Sequence, residues 1–301
     1  MKGEAMRDQA PGVVAEFDNV AVHYGRTSVL DAVTFAVPKG SVFAILGRNG
    51  AGKSSLLRCL LGLQKPFRGH VRLLNKDPWS AQGALMRRTG VVPEEPDAPL
   101  HLTTPELVRL CGSFYEGWDG VAVTAQLKRM KISSAIPFGS LSRGQKTATM
   151  LALALGHQPE LLILDDPTLG LDPIAKRTVV DELITALAAR GISVIIATHD
   201  LATIERFAEH VVILGRHRLL LSETTESLKN RFRRIRGPKG ADFSAFRTAR
   251  VLDHPWGREA IVSDFSDERF ESWRAEQEGA EALSLSLEEI FLATAGEEAE
   301  S

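Results

Sequence analysis

The residues Gly47-Arg-Asn49-Gly50-Ala-Gly52-Lys53-Ser54 fit the spacing G-x-x-x-x-G-K-[ST]. Glycines let backbone N–H groups converge on phosphate oxygens at a helix N-terminus, where the helix dipole favours negative charge. In such a loop Lys53 reaches the β- and γ-phosphates of a nucleoside triphosphate, and the Ser54 hydroxyl ligates Mg2+. A glycine-rich turn with a chance lysine would look similar. This one follows the apolar run Val42–Leu46 and precedes a helical pattern, the context in which the motif cradles phosphate. A second group sits at Leu161-Leu-Ile-Leu-Asp165-Asp166. An acid after four apolar residues can hold a Mg2+ shell, and Asp165 has that position. A lone aspartate there is commonly a turn or cap; two acids beside a phosphate loop favour the metal reading.

These residues need elements to position them. Val13–Val22 and Val29–Val37 read as alternating strands around a turn at Tyr24-Gly25. Val42–Leu46 is a continuous apolar run, as in a strand buried on both faces, and Leu161–Leu164, Ile192–Ala197 and Val211–Leu214 read as further buried strands. Gly69–Leu74 is a further expected strand. A helix is expected from Lys53, residues 93–158 read as mainly helical with a start at Thr104-Pro105, and Pro173 opens a long helix ending near Gly191. Buried strands alternating with helices predict an α/β fold: a parallel sheet covered on both faces, with a smaller antiparallel sheet beside it.

Composition sets the outer limits. The 301 residues are 44% apolar and 25% charged, which is globular and excludes disorder as the main theme. Lys plus Arg number 36 against 38 Asp plus Glu, a formal charge of −2, so no global field draws the chain to nucleic acid or an anionic bilayer. Two cysteines, Cys59 and Cys111, offer neither a disulfide framework nor a metal quartet and point to a reducing compartment. Met1–Gln9 lacks an apolar h-region, so no secretory leader is expected. No stretch approaches the roughly 20 apolar residues that span a bilayer, so any membrane role is expected to run through a partner. The composition shifts after Leu228. Residues 229–239 hold six basic side chains and no acid, while 253–301 hold 14 acids against three arginines. A boundary at Gly237-Pro238 is expected, with a core over 13–236 and an accessory region over 237–301. The basic run has three readings: solvated surface, pairing with the acidic tail, or contact with lipid.

Taken together, the motifs resemble the ATP-binding subunits of ABC transporters over about residues 13–225. Leu141-Ser142-Arg143-Gly144-Gln145 resembles that family's LSGGQ signature, Leu171-Asp172 its D-loop and Thr198-His199-Asp200 its switch histidine. Tyr24 sits where the family stacks an aromatic on adenine. A signature about 20 residues before the acidic strand, with a histidine after the next strand, is specific to the family. The resemblance implies a P-loop NTPase core with an antiparallel β subdomain, a helical subdomain over about 94–158 and a small C-terminal accessory unit. It implies ATP and Mg2+ as cofactors. ATP would be held by Tyr24, Gly47, Asn49, Gly50, Gly52, Lys53, Ser54 and Ser55, with Ser142, Gly144, Gln145 and Asp172 completing the site of a second subunit. Ser54, Asp165 and Glu94 would serve the metal, and Asp166, His199 and Glu94 the reaction. The implied partners are a second ATP-binding subunit and an integral-membrane permease, with no nucleic acid; the implied place is the cytoplasm, at the inner face of the cell membrane.

Three departures from the pattern carry expectations. Arg143 replaces the first glycine of the signature. Glu94 stands where the family usually has a glutamine, which resembles the subgroup serving ABC-2 type exporters; an exposed loop acid is the bland alternative. Asp166 stands at the catalytic glutamate's position. It is shorter by one methylene, about 1.3–1.5 Å of reach, and misplacement of about 1 Å can cost on the order of 100-fold in rate. Slow hydrolysis with normal ATP binding is therefore expected. In the helical part, Leu107, Val108, Leu110, Phe114 and Tyr115 fit either a groove for the permease or an ordinary core. Ser284–Phe291 resembles the ending of exporter ATPases in this subgroup, with Trp256, Phe265, Phe270 and Trp273 as its expected core. Two alternatives stand beside the exporter subunit: a hydrolysis-poor half of a heterodimeric system, and a soluble ABC ATPase acting on nucleic acid or ribosomes. The second lacks support from a second phosphate loop, a heptad insertion or basic net charge.

Overall fold

The computed structural model describes residues 12–277 and 279–295, so the leader expectation at Met1–Gln9 lies outside the described residues. In chain order the first elements are β1 (Val13–Tyr24), β2 (Thr27–Pro38), β3 (Val42–Gly47), α1 (Lys53–Leu60), β4 (Arg68–Leu73), α2 (Pro78–Met86) and β5 (Thr89–Val92). Then come α3 (Thr104–Gly112), α4 (Gly120–Arg129), α5 (Arg143–Leu155), β6 (Leu161–Asp165), α6 (Pro173–Arg190), β7 (Ser193–Thr198), α7 (Leu201–Ile204), β8 (His210–Gly215) and β9 (Arg218–Thr224). The C-terminal part holds α8 (Thr225–Arg231), β10 (Arg233–Gly237), β11 (Thr248–His254), β12 (Gly257–Val262), α9 (Asp267–Arg274), β13 (Glu281–Ser284) and α10 (Leu287–Ala295).

The central six-stranded sheet has the order β5-β6-β7-β3-β8-β9, parallel from β5 to β8 with β9 antiparallel at the edge. Its strands β3 and β7 bury every residue, as their largely apolar sequences require. Because side chains alternate, Ala44 and Leu46 join one core with α5, α6 and α10, while Phe43 and Ile45 join another with α1 and the antiparallel sheet. That second sheet has the order β2-β1-β4. Gly69 is needed there, since a Cβ would lie 2.2 Å from the Asn19 carbonyl oxygen and the residue sits at φ +83°. The helices are set by local signals: Thr103 and Glu106 form a capping box at α3, and α6 runs from Pro173 to a left-handed Gly191.

Two edge strands were not legible in the sequence. β5 has four residues and β9 mixes arginine, leucine and serine, so neither carries a usable period. The helical part has its own core around Phe138, Leu107, Val108 and Leu127. This separates the five groove candidates: Leu107 and Val108 are core, Tyr115 stacks on His157, and Leu110 and Phe114 are exposed.

The C-terminal part is a four-stranded antiparallel sheet, β11-β12-β10-β13, a topology the sequence reading did not anticipate. Residues Arg233–Gly237 form β10 and pair with β12 and β13, so this segment lies within the accessory sheet. Phe270 and Trp273 are buried there with Phe243 and Phe246, and Phe265 packs against them. Trp256 is a correction to the expected core: it is 54% exposed, stacked on His254. The strand alternation that buries Ala260 and Val262 leaves the β11–β12 turn outside. The basic run pairs with acids. Arg231 binds Glu223, Arg234 binds Glu289, and Arg236 binds Glu259 and Glu281.

Leu46 lies wholly buried in the central strand. Leu46→Ala is expected to lower urea-unfolding stability by about 2–5 kcal/mol, whereas Val121→Ala, at 83% exposure, should change it by no more than about 0.5 kcal/mol.

Candidate functional site

The parallel strands set the site. β3 ends at Gly47 and runs into the phosphate loop, which turns through left-handed Gly50 and Gly52 before α1. β6 ends at Asp165, β7 at Thr198 just before His199, and β5 two residues before Glu94. Asn49, Gly50, Gly52, Lys53, Ser54, Ser55, Glu94, Asp166 and His199 therefore meet around one cavity of about 420 Å3. Gly47 lines a neighbouring cavity with Asn49 and His199, and Asp165 lines another with Ser54 and Glu94. Tyr24 is 45% exposed. Its hydroxyl donates to Gln64 Oε1 at 2.6 Å and lies 3.4 Å from Ser55 Oγ. Ser142, Gly144, Gln145 and Asp172 do not line this cavity.

Lys53 is buried, with its Nζ donating to the carbonyl oxygens of Gly47 at 2.8 Å and Arg48 at 3.4 Å. Burial pushes its pKa down, while the charges of Asp166, Asp165 and Glu94 act to raise it. Asp165 is pushed up by burial; the Ser54 hydrogen bond opposes this, and the nearby Glu94 and Asp166 add to it. Three carboxylates thus crowd one buried ammonium, and the cavity is short of positive charge. Ser54 Oγ donates to Asp165 Oδ1 at 3.3 Å. A hydroxyl and a carboxylate side by side, in a site deficient in cations, fit a hard divalent ion that takes oxygen ligands.

Asp166 occupies an unusual place. Its φ is +42°, its N–H donates to the Ala197 carbonyl at 2.7 Å, and its side chain is nearly buried. Three groups meet its Oδ1: Thr198 Oγ1 at 2.8 Å, the His199 N–H at 3.2 Å and His199 Nδ1 at 2.9 Å. A carboxylate only accepts, so the neutral ring carries its proton on Nδ1 and presents Nε2 as an acceptor. Thr198 holds Asp166, a role sequence reasoning missed; the signal was a hydroxyl ending a largely apolar strand. Lys176 was missed altogether. It binds Asp200 Oδ2 at 2.8 Å and so braces the turn after His199 from α6. Asp200 also accepts from Thr168 Oγ1 and the Thr203 N–H.

The signature forms the start of α5. Ser142 is the N-cap, with Gln145 completing a capping box. Gly144 packs so closely on α6 that a Cβ would lie 2.7 Å from Ala175 Cβ. Arg143 lies beside Gly170 and donates to the Glu94 carbonyl at 3.3 Å, linking signature and Glu94 loop. Asp172 caps α6 through the N–H groups of Ile174 and Ala175. The cysteines are chemically quiet: burial pushes the Cys59 thiol up to about 11 and raises Cys111.

Comparison with known proteins follows this geometry. The ABC transporter family model matches residues 30–169. A putative ABC transporter ATP-binding protein of Streptomyces avermitilis is 38% identical over 205 residues, covering 67% of this chain and 36% of that one. The Nod factor export ATP-binding protein I of Mesorhizobium japonicum is 33% identical over 217 residues, covering 70% and 63%. The bacitracin transport ATP-binding protein BcrA of Bacillus licheniformis is 34% identical over 214 residues, covering 70% of each. The match thus spans 36% and 63% of the first two relatives. A solved ATP-binding subunit of an ABC transporter superposes with TM-score 0.64 at 29% identity, covering 72% of this chain and 92% of that one. Among the described residues no helix is long and apolar enough to cross a membrane.

Asp200 gives a pH prediction. Burial acts to raise its pKa, but hydrogen bonds from Lys176 and Thr203, with the Lys176 charge, hold it below the ordinary 3.8. The charge then stabilises the fold above that ordinary value, and the gain disappears as pH falls through the lower folded value. Asp200→Asn keeps an N-cap for α7 and removes the charge. Its urea midpoint should fall below the parent's at pH 7, and the gap should close on acidification below 3.8.

Proposed function

This chain belongs to the family of ABC transporter ATP-binding proteins, and from that premise we propose that it binds and hydrolyses ATP to power a separate membrane permease, with export as the direction. The observation that carries the proposal is the single cavity in which the phosphate loop, Lys53, Glu94, Asp166 and His199 meet. The printed names of its relatives, Nod factor export and bacitracin transport, support a transporter role and, in the first case, export.

In this reading the phosphate-loop N–H groups, Gly47 to Ser55, hold the phosphates, and Lys53 neutralises the β- and γ-oxygens. Mg2+ would be held by Ser54 and Asp165, with Glu94 at its margin, and would supply charge neutralisation on the transferring phosphoryl group. Tyr24 would face the adenine. Asp166 and His199 act on the attacking water: the carboxylate fixes the ring through Nδ1, and Nε2 accepts a hydrogen bond from water. Ser142, Gly144, Gln145 and Asp172 do not line the chain's own cavity, which supports their service to a second ATP-binding subunit. The proposed partners are that subunit and the permease, and the proposed place is the cytoplasmic face of the membrane. The proposed division puts the nucleotide-binding unit before β10 and the accessory unit from β10 onward.

One observation favours a second reading, a hydrolysis-poor half of a heterodimer. The hydrogen bonds that hold the Asp166 side chain all meet Oδ1, drawing a short carboxylate toward His199. Both readings predict ATP binding and differ in rate.

Purified protein should hydrolyse ATP slowly, and Lys53→Ala should abolish turnover. Asp166→Glu should raise turnover by about 10- to 100-fold, through recovered reach; a lower or unchanged rate would show that the backbone already compensates for the shorter acid. A tagged pull-down from detergent-solubilised membranes should recover a permease in stoichiometric amount. Recovery with ribosomes or nucleic acid and no membrane protein would overturn the transporter reading.

A further inference from the structure

A second cavity of about 360 Å3 shares Asn49 and His199 with the phosphate cavity and is completed by Gly47, Arg48, Leu201 and Phe291. Five of these six belong to the nucleotide-binding core. Phe291 comes from α10, at the far end of the sequence. The helix that carries it packs on α7 and β8. Leu287 and Ile290 share one buried cluster with Leu201 and Ile204 of α7, and Phe291 packs against it. α7 begins two residues after His199, and the Leu201 N–H donates to the His199 carbonyl at 3.2 Å.

α10 is in turn fixed to the accessory sheet. Glu289 accepts from Arg234 Nη2 of β10 at 2.5 Å and caps its own helix through Ser286. The chain of contact therefore runs from β10 through Glu289 to α10, then to α7 and the histidine turn.

We infer that Phe291 is a positioning residue for His199, so that the accessory unit sets the place of the histidine beside the phosphate cavity. The His199 side chain is 44% exposed, and its one ring hydrogen bond among the described residues, to Asp166, fixes Nδ1. A single bond at one ring nitrogen leaves the ring free to swing about it. The turn that bears the ring runs directly into α7, and the contacts of α10 with α7 brace it alongside the Lys176–Asp200 pair. The inference rests on the ATPase reading for its kinetic consequence and on geometry alone for its structural one.

The test uses the full chain with two readouts. In steady-state turnover, Phe291→Ala should lower kcat about 10-fold, the effect of a sub-ångström shift of a reacting group, and leave KM for ATP unchanged. Phe291→Leu, which preserves most of the volume, should recover most of the rate, and Leu292→Ala, exposed on the same helix, should match the parent. In 15N NMR of the nucleotide-free protein, the His199 ring signals, assigned by their loss in His199→Gln, should move in Phe291→Ala. An unchanged kcat, or a rise in KM equal to the fall in rate, overturns the inference. If the parent's turnover does not exceed that of Lys53→Ala, the ATPase reading falls, and the ring signals then decide this inference: moved signals uphold it and unmoved ones overturn it.

Discussion

Five neighbouring strands of the central sheet run parallel, so all their C-terminal ends meet one edge. Everything chemical in the chain depends on that constraint. A parallel strand cannot return by a tight turn; it needs a crossover, and each crossover begins with a loop on the same edge. That edge carries the phosphate loop after β3, Asp165 at the end of β6 and Asp166 just after it, His199 after β7 and Glu94 after β5. Residues separated by more than 100 positions share one cavity because the hydrogen-bond direction of the sheet is shared. The wholly buried strands beneath are what hold that edge rigid.

The electrostatics follow from this convergence. One buried ammonium faces three acids, and burial disfavours charge on Lys53 and Asp165 alike. Such an arrangement is costly without further positive charge, which a divalent ion would supply. Asp166, in a left-handed conformation and bound by Thr198 and His199, stores local strain of the kind found at working sites. The strain is offset by the central sheet, whose neighbouring carbonyl of Ala197 holds the Asp166 N–H.

The accessory unit is tied together internally by charge and joined to the core by apolar contact. Arginines of β10 bind Glu259, Glu281 and Glu289, while Phe232, Ile261, Leu285 and Leu287 join the core beneath α6 and β8. Part of the charge asymmetry along the C-terminal sequence is thus paired within the chain. The same helix that closes the core carries Phe291 to the cavity beside His199.

The sequence by itself determined the glycine-rich loop, the acid-bearing strand, the histidine after β7 and the central strands, because each is written in local order: a fixed spacing, or a largely apolar run closed by a polar residue. α3, α6 and the β1–β2 hairpin were legible for the same reason. What only the tertiary structure decided were facts of pairing and facing. The edge strand β5 has four residues and is a strand because β6 lies beside it. Lys176, with its carboxylate partner 24 positions away, gives no local signal. Trp256 and Trp273 are the same residue type in the same unit, yet one stands on a turn and the other donates its indole N–H to the Asp242 carbonyl from a buried helix face. Arg143 departs from a motif in the sequence; its bond to the Glu94 carbonyl exists only because α5 folds back against the loop after β5. Local spacing fixes which chemistry a residue can perform, and long-range packing fixes what that residue meets.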